Sequence, residues 1–545
     1  MANGRMGEPA TAPPYFRRLF SHSTVLFPVH HSSLLSSVEQ GKFFNVVSTR
    51  IKRKRRDIMS SQHTAEAIHA RLKHPVLDAD GHWIEFEPAA MEYLHKVGGD
   101  KIVERYKKVA NQFGNKKWAQ TPAAERRERR MLQPGWWGVP TKNTRDRATA
   151  MLPKLLHERM GELGFDFSAI YPTSGALFAP FLRDEEIRRA ACRAFNLYTA
   201  DQFAGLGDRL APAAVVPMYS PQEALEELEF AVKQLGFKVV MLGSLPRRPV
   251  AAVAKSNPEA SRYAVWHDVL GLDSEFNYDP VWAKCIELGV SPAFHSASSG
   301  IGLRTSISNF VYNHIGHFGQ AGEAVCKALF IGGVTRRFPK LKFTFLEGGV
   351  GWACGLYSDL IGHWKKRNAD ALEDTNPANL NREMLVDYIQ RYGSKAFVSV
   401  LDQLEPGVGL LMERPEQLDD FAACGIKKAS DIRDLFVPHF YFGCEADDPV
   451  NSWAFKNKVN PYGARLNAVF GSDIGHFDVP NMTDVLPEAY EGVEDGVLNE
   501  EDFRDFVFGN PVRLWTGMNP NFFKGTAVES QVQKFLKETN GSASA

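Results

Sequence analysis

From residue 75 onward the chain alternates short apolar runs with amphipathic stretches of helical period. The runs are "PVLDADGH" (75–82), "DFSAIYPTS" (166–174), "LAPAAVVPM" (210–218), "FKVVMLGS" (237–244), "GVSPAFHSA" (289–297), "LKFTFLEGG" (341–349), "PHFYFGCEA" (438–446) and "RLNAVFGSDIGH" (465–476). Near-continuous apolarity over so short a span suits a strand buried on both faces, as in a parallel sheet. Helical patterns precede several of them: "LPKLLHERMGELG", "QEALEELEFAVKQLG", "DPVWAKCIELG" and "GEAVCKALFIGGVTRRFP". Eight such units predict an α/β chain folded as a (β/α)8 TIM barrel. Segments 98–150, 246–275 and 365–437 are long, charged or irregular, and are expected as helical insertions around the barrel mouth. A doubly wound open sheet is the runner-up, but no G-x-G-x-x-G follows an early strand.

The ends of the chain differ from this pattern. Residues 1–62 contain "SHSTVLFPVHHSSLLSS" and the basic run "RIKRKRR" (50–56). They are expected as a disordered extension or as sequence upstream of a start at Met59, although a transit peptide or nuclear signal shares the composition. The barrel is expected over 63–530 and a C-terminal tail over 531–545.

Charge narrows the function classes. Lys+Arg and Asp+Glu both number 64, so bulk charge gives no reason to expect a nucleic-acid or membrane partner, and a small-molecule substrate fits better. No stretch reaches the roughly 18 apolar residues of a membrane span. The six cysteines form no C-x-x-C pair and sit in apolar surroundings. They read as reduced, buried thiols of a cytoplasmic protein.

The chemistry falls at strand ends, where a barrel builds its active site. The first strand ends in Asp80-Gly81-His82, the fifth in His295, the sixth in Glu347, the eighth in Asp473 with His476 beyond. Residues two apart on a strand point the same way, so Asp80 and His82 can converge on one ion. With His295 and Asp473 they make a set of two imidazoles and two carboxylates, suited to Zn2+, Mn2+ or Fe2+, with one position left for water. Zinc is the first expectation.

The motifs "LDADGHWIE", "GWWGVPTKNTRDRATAMLP", "DFSAIYPT", "FHSA", "FLEGGVGW", "FGCEADD", "FGSDIGH" and "NPNFFKGT" together resemble the amidohydrolase superfamily, over roughly residues 74–526. The likeness is to its amidohydrolase-related (amidohydrolase 2) branch, that of enzymes similar to aminocarboxymuconate semialdehyde decarboxylase. The resemblance implies a metal-dependent barrel in a family of hydrolases, decarboxylases and hydratases, with a homodimer carried over from relatives. Two departures stand out. The family's H-x-H on the first strand is Asp80-Gly81-His82 here, and Glu347 stands where decarboxylases of the family carry a histidine. Nor does a lysine end the fourth strand, where binuclear relatives carry one, so one metal is expected, with Glu347 able to help hold a second.

The functional expectation is metal-dependent hydrolysis of an amide, ester or related bond, with Asp473 binding metal and taking a proton from water and Glu347 as further acid or base. The alternatives are non-oxidative decarboxylation or hydration of an aromatic or unsaturated carboxylic acid, and a non-catalytic barrel scaffold. Trp136 and Trp137 are expected to wall the substrate pocket, and Arg147, with neighbouring Arg145, to bind a substrate carboxylate. His317 and His476 are expected to meet substrate. Glu445, Asp447 and Asp448 fall at the end of the seventh strand, and Asp78 is a candidate to orient a metal ligand. Each has a plainer role open to it: a salt bridge, a helix-start carboxylate or a packed core histidine.

Overall fold

The computed structural model describes residues 63–111, 114–135, 138–407 and 418–542. The expected extension over 1–62, and Trp136 and Trp137, lie outside the described residues.

Each apolar run from the sequence becomes a strand: β1 Leu77–Trp83, β2 Phe167–Pro172, β3 Leu210–Val216, β4 Val239–Leu242, β5 Pro292–Phe294, β6 Phe343–Phe345, β7 Phe440–Cys444 and β8 Asn467–Phe470. They pair in parallel in sequence order, with registers such as His82↔Tyr171, Val215↔Met241, Ala293↔Thr344 and Val469↔Gly443. The two edges then meet. The Asp473 amide donates to the Asp80 carbonyl at 2.9 Å, and the Ser472 amide to the Asp78 carboxylate at 2.9 Å. The fold is therefore a (β/α)8 barrel.

The strands are shorter than the apolar runs. β5 and β6 keep three residues each, ending one residue before His295 and two before Glu347. Alternation sorts the side chains on either side of that break. Phe294, Phe343, Phe345 and Phe442 form one buried aromatic cluster, and Trp352 of the helix Gly351–Arg367 packs edge-on against Phe345 and Phe442. The aromatic rings thus fasten sheet to helix, while the residue after Phe294, His295, turns to the other side.

Local signals start the crossover helices. Asp184 caps Glu185–Gln202 by accepting from the Ile187 amide. Ser220 and Glu223 form a reciprocal capping box at Pro221–Glu229. Gly289, at φ 67°, ends Asp279–Leu288 and hands the chain to β5.

The expected insertions are mainly helical. Glu87–Ala110 packs along Glu185–Gln202, with a break at Gly99, where φ is 71°. Within 246–275, an antiparallel pair, Arg247–Pro249 with Val265–His267, is pinned by the buried Arg248–Asp268 ion pair at 2.6 Å. The stretch read as a C-terminal tail carries the helix Glu529–Ser542, whose Val532 and Phe535 are buried. All six cysteines are free and buried. No helix among the described residues is long and apolar enough to cross a membrane.

Candidate metal centre

The site begins with Asp78, which is fully buried and faces away from the centre. Its carboxylate accepts from the Asp80 amide at 3.1 Å, the Ser472 amide at 2.9 Å, the Ser472 hydroxyl at 2.8 Å and the Ser168 hydroxyl. One side chain thereby ties β1 to β2 and to the end of β8. The register of β1 against β2 shifts between Asp78 and Gly81. That bulge separates Asp78 from Asp80, which strict alternation would place on one face. A Cβ at Gly81 would lie 2.6 Å from the Asp78 carboxylate and 2.8 Å from Ile170, so the middle residue of Asp-Gly-His has no room for a side chain. Gly471, just past β8, answers it: a Cβ there would press within 2.9 Å of Asp80.

Asp80, His82, His295 and Asp473 all reach the same buried space. His82 Nε2 lies 3.5 Å from Asp80 Oδ1 and 3.5 Å from Asp473 Oδ1. The His82 and His295 rings meet edge to face at 5.1 Å. Donor atoms of Asp80, His82 and His295 lie within 4.8 Å of one another, as do those of His82, Glu347, Asp473 and His476. Asp80 Oδ2 is held by the Glu347 amide at 3.1 Å, which leaves Oδ1 as its free oxygen.

Two pairs of these donors are in close contact. His295 Nε2 is 2.7 Å from Glu347 Oε2, and His476 Nδ1 is 2.6 Å from Asp473 Oδ1. Beyond these two close contacts, Asp80 Oδ1, His82 Nε2 and Asp473 Oδ2 are buried with no hydrogen-bond partner among the described residues. An orphaned buried polar atom costs about 1–3 kcal/mol, more when charged. So many at one point signal a missing common partner. Two imidazoles and several carboxylates fit a divalent metal ion there.

Electrostatics supports that fit. Burial holds His82 and His295 well toward the neutral imidazole, the form that ligates. Burial also pushes the Asp80, Glu347 and Asp473 carboxyls up, with Glu347 adding to the rise at the two aspartates. Without a cation these carboxylates repel one another. The backbone is strained at the same place: Glu347 and Asp473 adopt φ of 53° and 46°, a left-handed conformation uncommon outside glycine.

The other sequence candidates divide. His476 joins the centre, its ring 4.2 Å from that of His82 and its Nε2 3.2 Å from the Thr173 hydroxyl. Burial first, then His295, lowers it to about 4. His317 is buried against Phe318 at 3.8 Å, and burial lowers it to about 3. It is not among the residues lining the adjoining cavity, which His314 lines. Arg147 is not among the lining residues either; its Nη1 is buried without a hydrogen-bond partner among the described residues. Arg145 pairs with Glu162 at 2.7 Å, a surface salt bridge.

The cavity beside the centre, about 310 Å³, is lined by Glu347, Glu445, Asp448, Asp478 and His314, with Phe318 and Phe477 as apolar walls. Burial, then Asp478 and Glu347, pushes the Glu445 carboxyl up to about 8. Asp478 was missed by sequence reasoning. Its only signal was its place two residues past His476, on the loop that follows β8.

Residues 150–375 match the family model described as Amidohydrolase, in keeping with the resemblance drawn from the motifs. Among solved structures, the chain is similar to an amidohydrolase from Mycobacterium avium subsp. paratuberculosis K-10, at 17% identity and TM-score 0.48, covering 82% of this chain and 100% of that one. It is similar to 2,6-dihydroxybenzoate decarboxylase from Rhizobium at 13% identity and TM-score 0.42, covering 81% and 99%. A dihydroxybenzoic acid decarboxylase from Polaromonas sp. JS666, with bound manganese, matches at 15% identity and TM-score 0.42, covering 81% and 97%.

Proposed function

We propose that this amidohydrolase-related barrel is a divalent-metal enzyme that removes CO2 without oxidation from an aromatic or unsaturated carboxylic acid. The observation that carries the metal is the convergence of unpartnered donors on Asp80, His82, His295 and Asp473. Zn2+, Mn2+ and Fe2+ all suit this mixed set. When bound, the ion would polarise an oxygen of the substrate and offset its charge.

The chain's own residues then have definite tasks. The neutral imidazoles of His82 and His295, with Asp80, hold the ion. Loss of CO2 leaves a carbon that must gain a proton. Asp473, at the centre with His476 Nδ1 2.6 Å from its Oδ1, is the candidate to pass that proton to the carbon. Phe318 and Phe477 give an apolar wall against which an unsaturated or aromatic body can lie.

Hydrolysis, the first expectation from the sequence, becomes the second reading. It asks Asp473 or Glu347 to take a proton from water rather than to pass one to carbon. Its support is the chemistry of the ligand set, which serves a metal-activated water equally well.

The test has two parts. Elemental analysis of the wild type should find a transition metal that is lost in His295→Ala and Asp80→Ala. A panel of hydroxybenzoic and dienoic acids should then release CO2 from the loaded enzyme. Alcohol or amine release from esters or amides, with no CO2 from any acid, would establish hydrolysis instead. A folded wild type that takes up no Zn2+, Mn2+ or Fe2+ would end both readings.

A further inference from the structure

The last carboxylate of "LDADGHWIE", Glu85, is buried and spent on backbone rather than on the inner donor set. Its Oε1 accepts from the Gly175 amide at 2.6 Å and its Oε2 from the Ser174 amide at 2.9 Å. A Cβ at Gly175 would lie 3.1 Å from Oε1, so the turn closes tightly on the carboxylate. The chain leaving β2 is thereby fixed against the end of β1 as it enters the short helix Thr173–Leu177. The Thr173 hydroxyl adds a second tie, donating to the Trp83 carbonyl at 2.9 Å.

That second tie settles the direction of a third contact. A hydroxyl has one proton, and a carbonyl only accepts. With its proton on Trp83, the Thr173 oxygen meets His476 Nε2 at 3.2 Å as an acceptor. Nε2 is therefore the nitrogen that carries hydrogen, whatever the charge of the ring. Nδ1 is left to face Asp473 Oδ1 at 2.6 Å, and the ring lies 4.2 Å from that of His82. Contacts from the ends of β1, β2 and β8 thus fix one imidazole.

We propose that Thr173, held in place by Glu85, is a positioning residue that commits His476 to Asp473. The hydrogen bond made by one ring nitrogen of a histidine sets what the other can do. With Nε2 tied to Thr173, a proton exchanged between the imidazole and Asp473 crosses the Nδ1–Oδ1 contact alone. Without that tie, the ring is free to change tautomer or to turn Nδ1 away from Asp473. The effect on turnover rests on the function proposed above; the orientation of the ring does not.

The experiment reads the ring first and turnover second. The full chain carrying 15N-labelled histidine is measured by NMR with and without Zn2+, and His476→Gln identifies the signal. Expected in the wild type is a hydrogen on Nε2. Thr173→Val keeps the shape and loses the acceptor, so its His476 should divide between the two tautomers; Thr173→Ser should restore Nε2. The kcat for CO2 release should fall about tenfold or more in Thr173→Val, with KM changed less than about twofold, and should recover in Thr173→Ser. Glu85→Gln can accept at only one end of its amide and should shift the His476 signal the same way. A wild type with its only ring hydrogen on Nδ1, or a Thr173→Val chain that keeps both tautomer and kcat, overturns the positioning role and leaves the proposed reaction standing. An unchanged signal in Glu85→Gln overturns the part given to Glu85. A wild type that releases no CO2 from any acid ends the proposed reaction, and the NMR signals then decide the positioning role by themselves.

Discussion

Two regions of this protein bury charge, and they do so in opposite ways. In the helical layer, Arg188 meets Glu223 at 3.0 Å and spends Nη1 on the Leu182 carbonyl at 2.6 Å. Arg159 meets Asp146 at 2.7 Å, Glu162 at 2.9 Å and the Thr149 hydroxyl. None of these charged atoms is left without a partner. At the strand ends, Asp80 Oδ1, His82 Nε2 and Asp473 Oδ2 are left unpaired around a close His295–Glu347 contact, on backbone that is itself strained at Glu347 and Asp473. A buried charge that is satisfied holds the fold together. A set that is unsatisfied and convergent is built for something that arrives later.

The contrast can be tested from both sides. The largest effect is expected in the helical layer. Arg188→Ala leaves Glu223 buried without its ion partner, held only by the Ser220 amide, at a cost of about 3–5 kcal/mol. Urea unfolding should show that loss, with metal content per folded molecule unchanged. A smaller effect, of opposite kind, is expected at the strand ends. Saturating the centre with metal at about a hundred times its dissociation constant should stabilise the chain by about 2.7 kcal/mol. Asp473→Asn should abolish that gain while leaving the metal-free protein as stable as before or more so. If stripping the metal left the melting temperature unchanged, the strand ends would be no different in kind from the helical layer.

Asp78 joins the two modes, being a satisfied charge that serves an unsatisfied one. Ser472→Ala removes one of its donors and should cost about 1 kcal/mol in stability. It should also weaken metal binding about tenfold, because the clasp positions Asp80 and Asp473. Calorimetric metal titration would read the second effect; an unchanged affinity would reduce the clasp to a structural one. The smallest effect concerns pH. Glu445 is raised from 4.5 to about 8, so the folded chain holds its proton where the unfolded chain has released it. The sign follows: its contribution to metal-free stability is present below about 4.5 and is lost as pH rises through 8. Glu445→Gln should flatten that decline in thermal melts across the interval.

Much of this was written locally. The apolar runs marked all eight strands because a strand buried on both faces must be apolar almost throughout, and that needs no knowledge of its neighbours. His295 followed from the same reasoning, standing directly after a three-residue strand whose Phe294 faces the helices. Other features left no such trace. The bulge that parts Asp78 from Asp80 comes from pairing with β2, and the sequence gives its Gly81 no more weight than any other glycine. His476 reads as a loop histidine until the chain beyond β8 folds back over His82. Asp478 lies on an exposed loop, and only its approach to Glu347 and Glu445 gives it meaning.

The sequence by itself determined the eight strands, their order along the chain and the polar residues at their ends. Apolar periodicity and residue chemistry act over a few positions, so they are legible in one dimension. Only the tertiary structure decided that Asp80 and Asp473, almost 400 residues apart, share one backbone hydrogen bond, and that the donors around them point at a common space. That outcome depends on barrel closure, which sets distances across the molecule that no local pattern encodes.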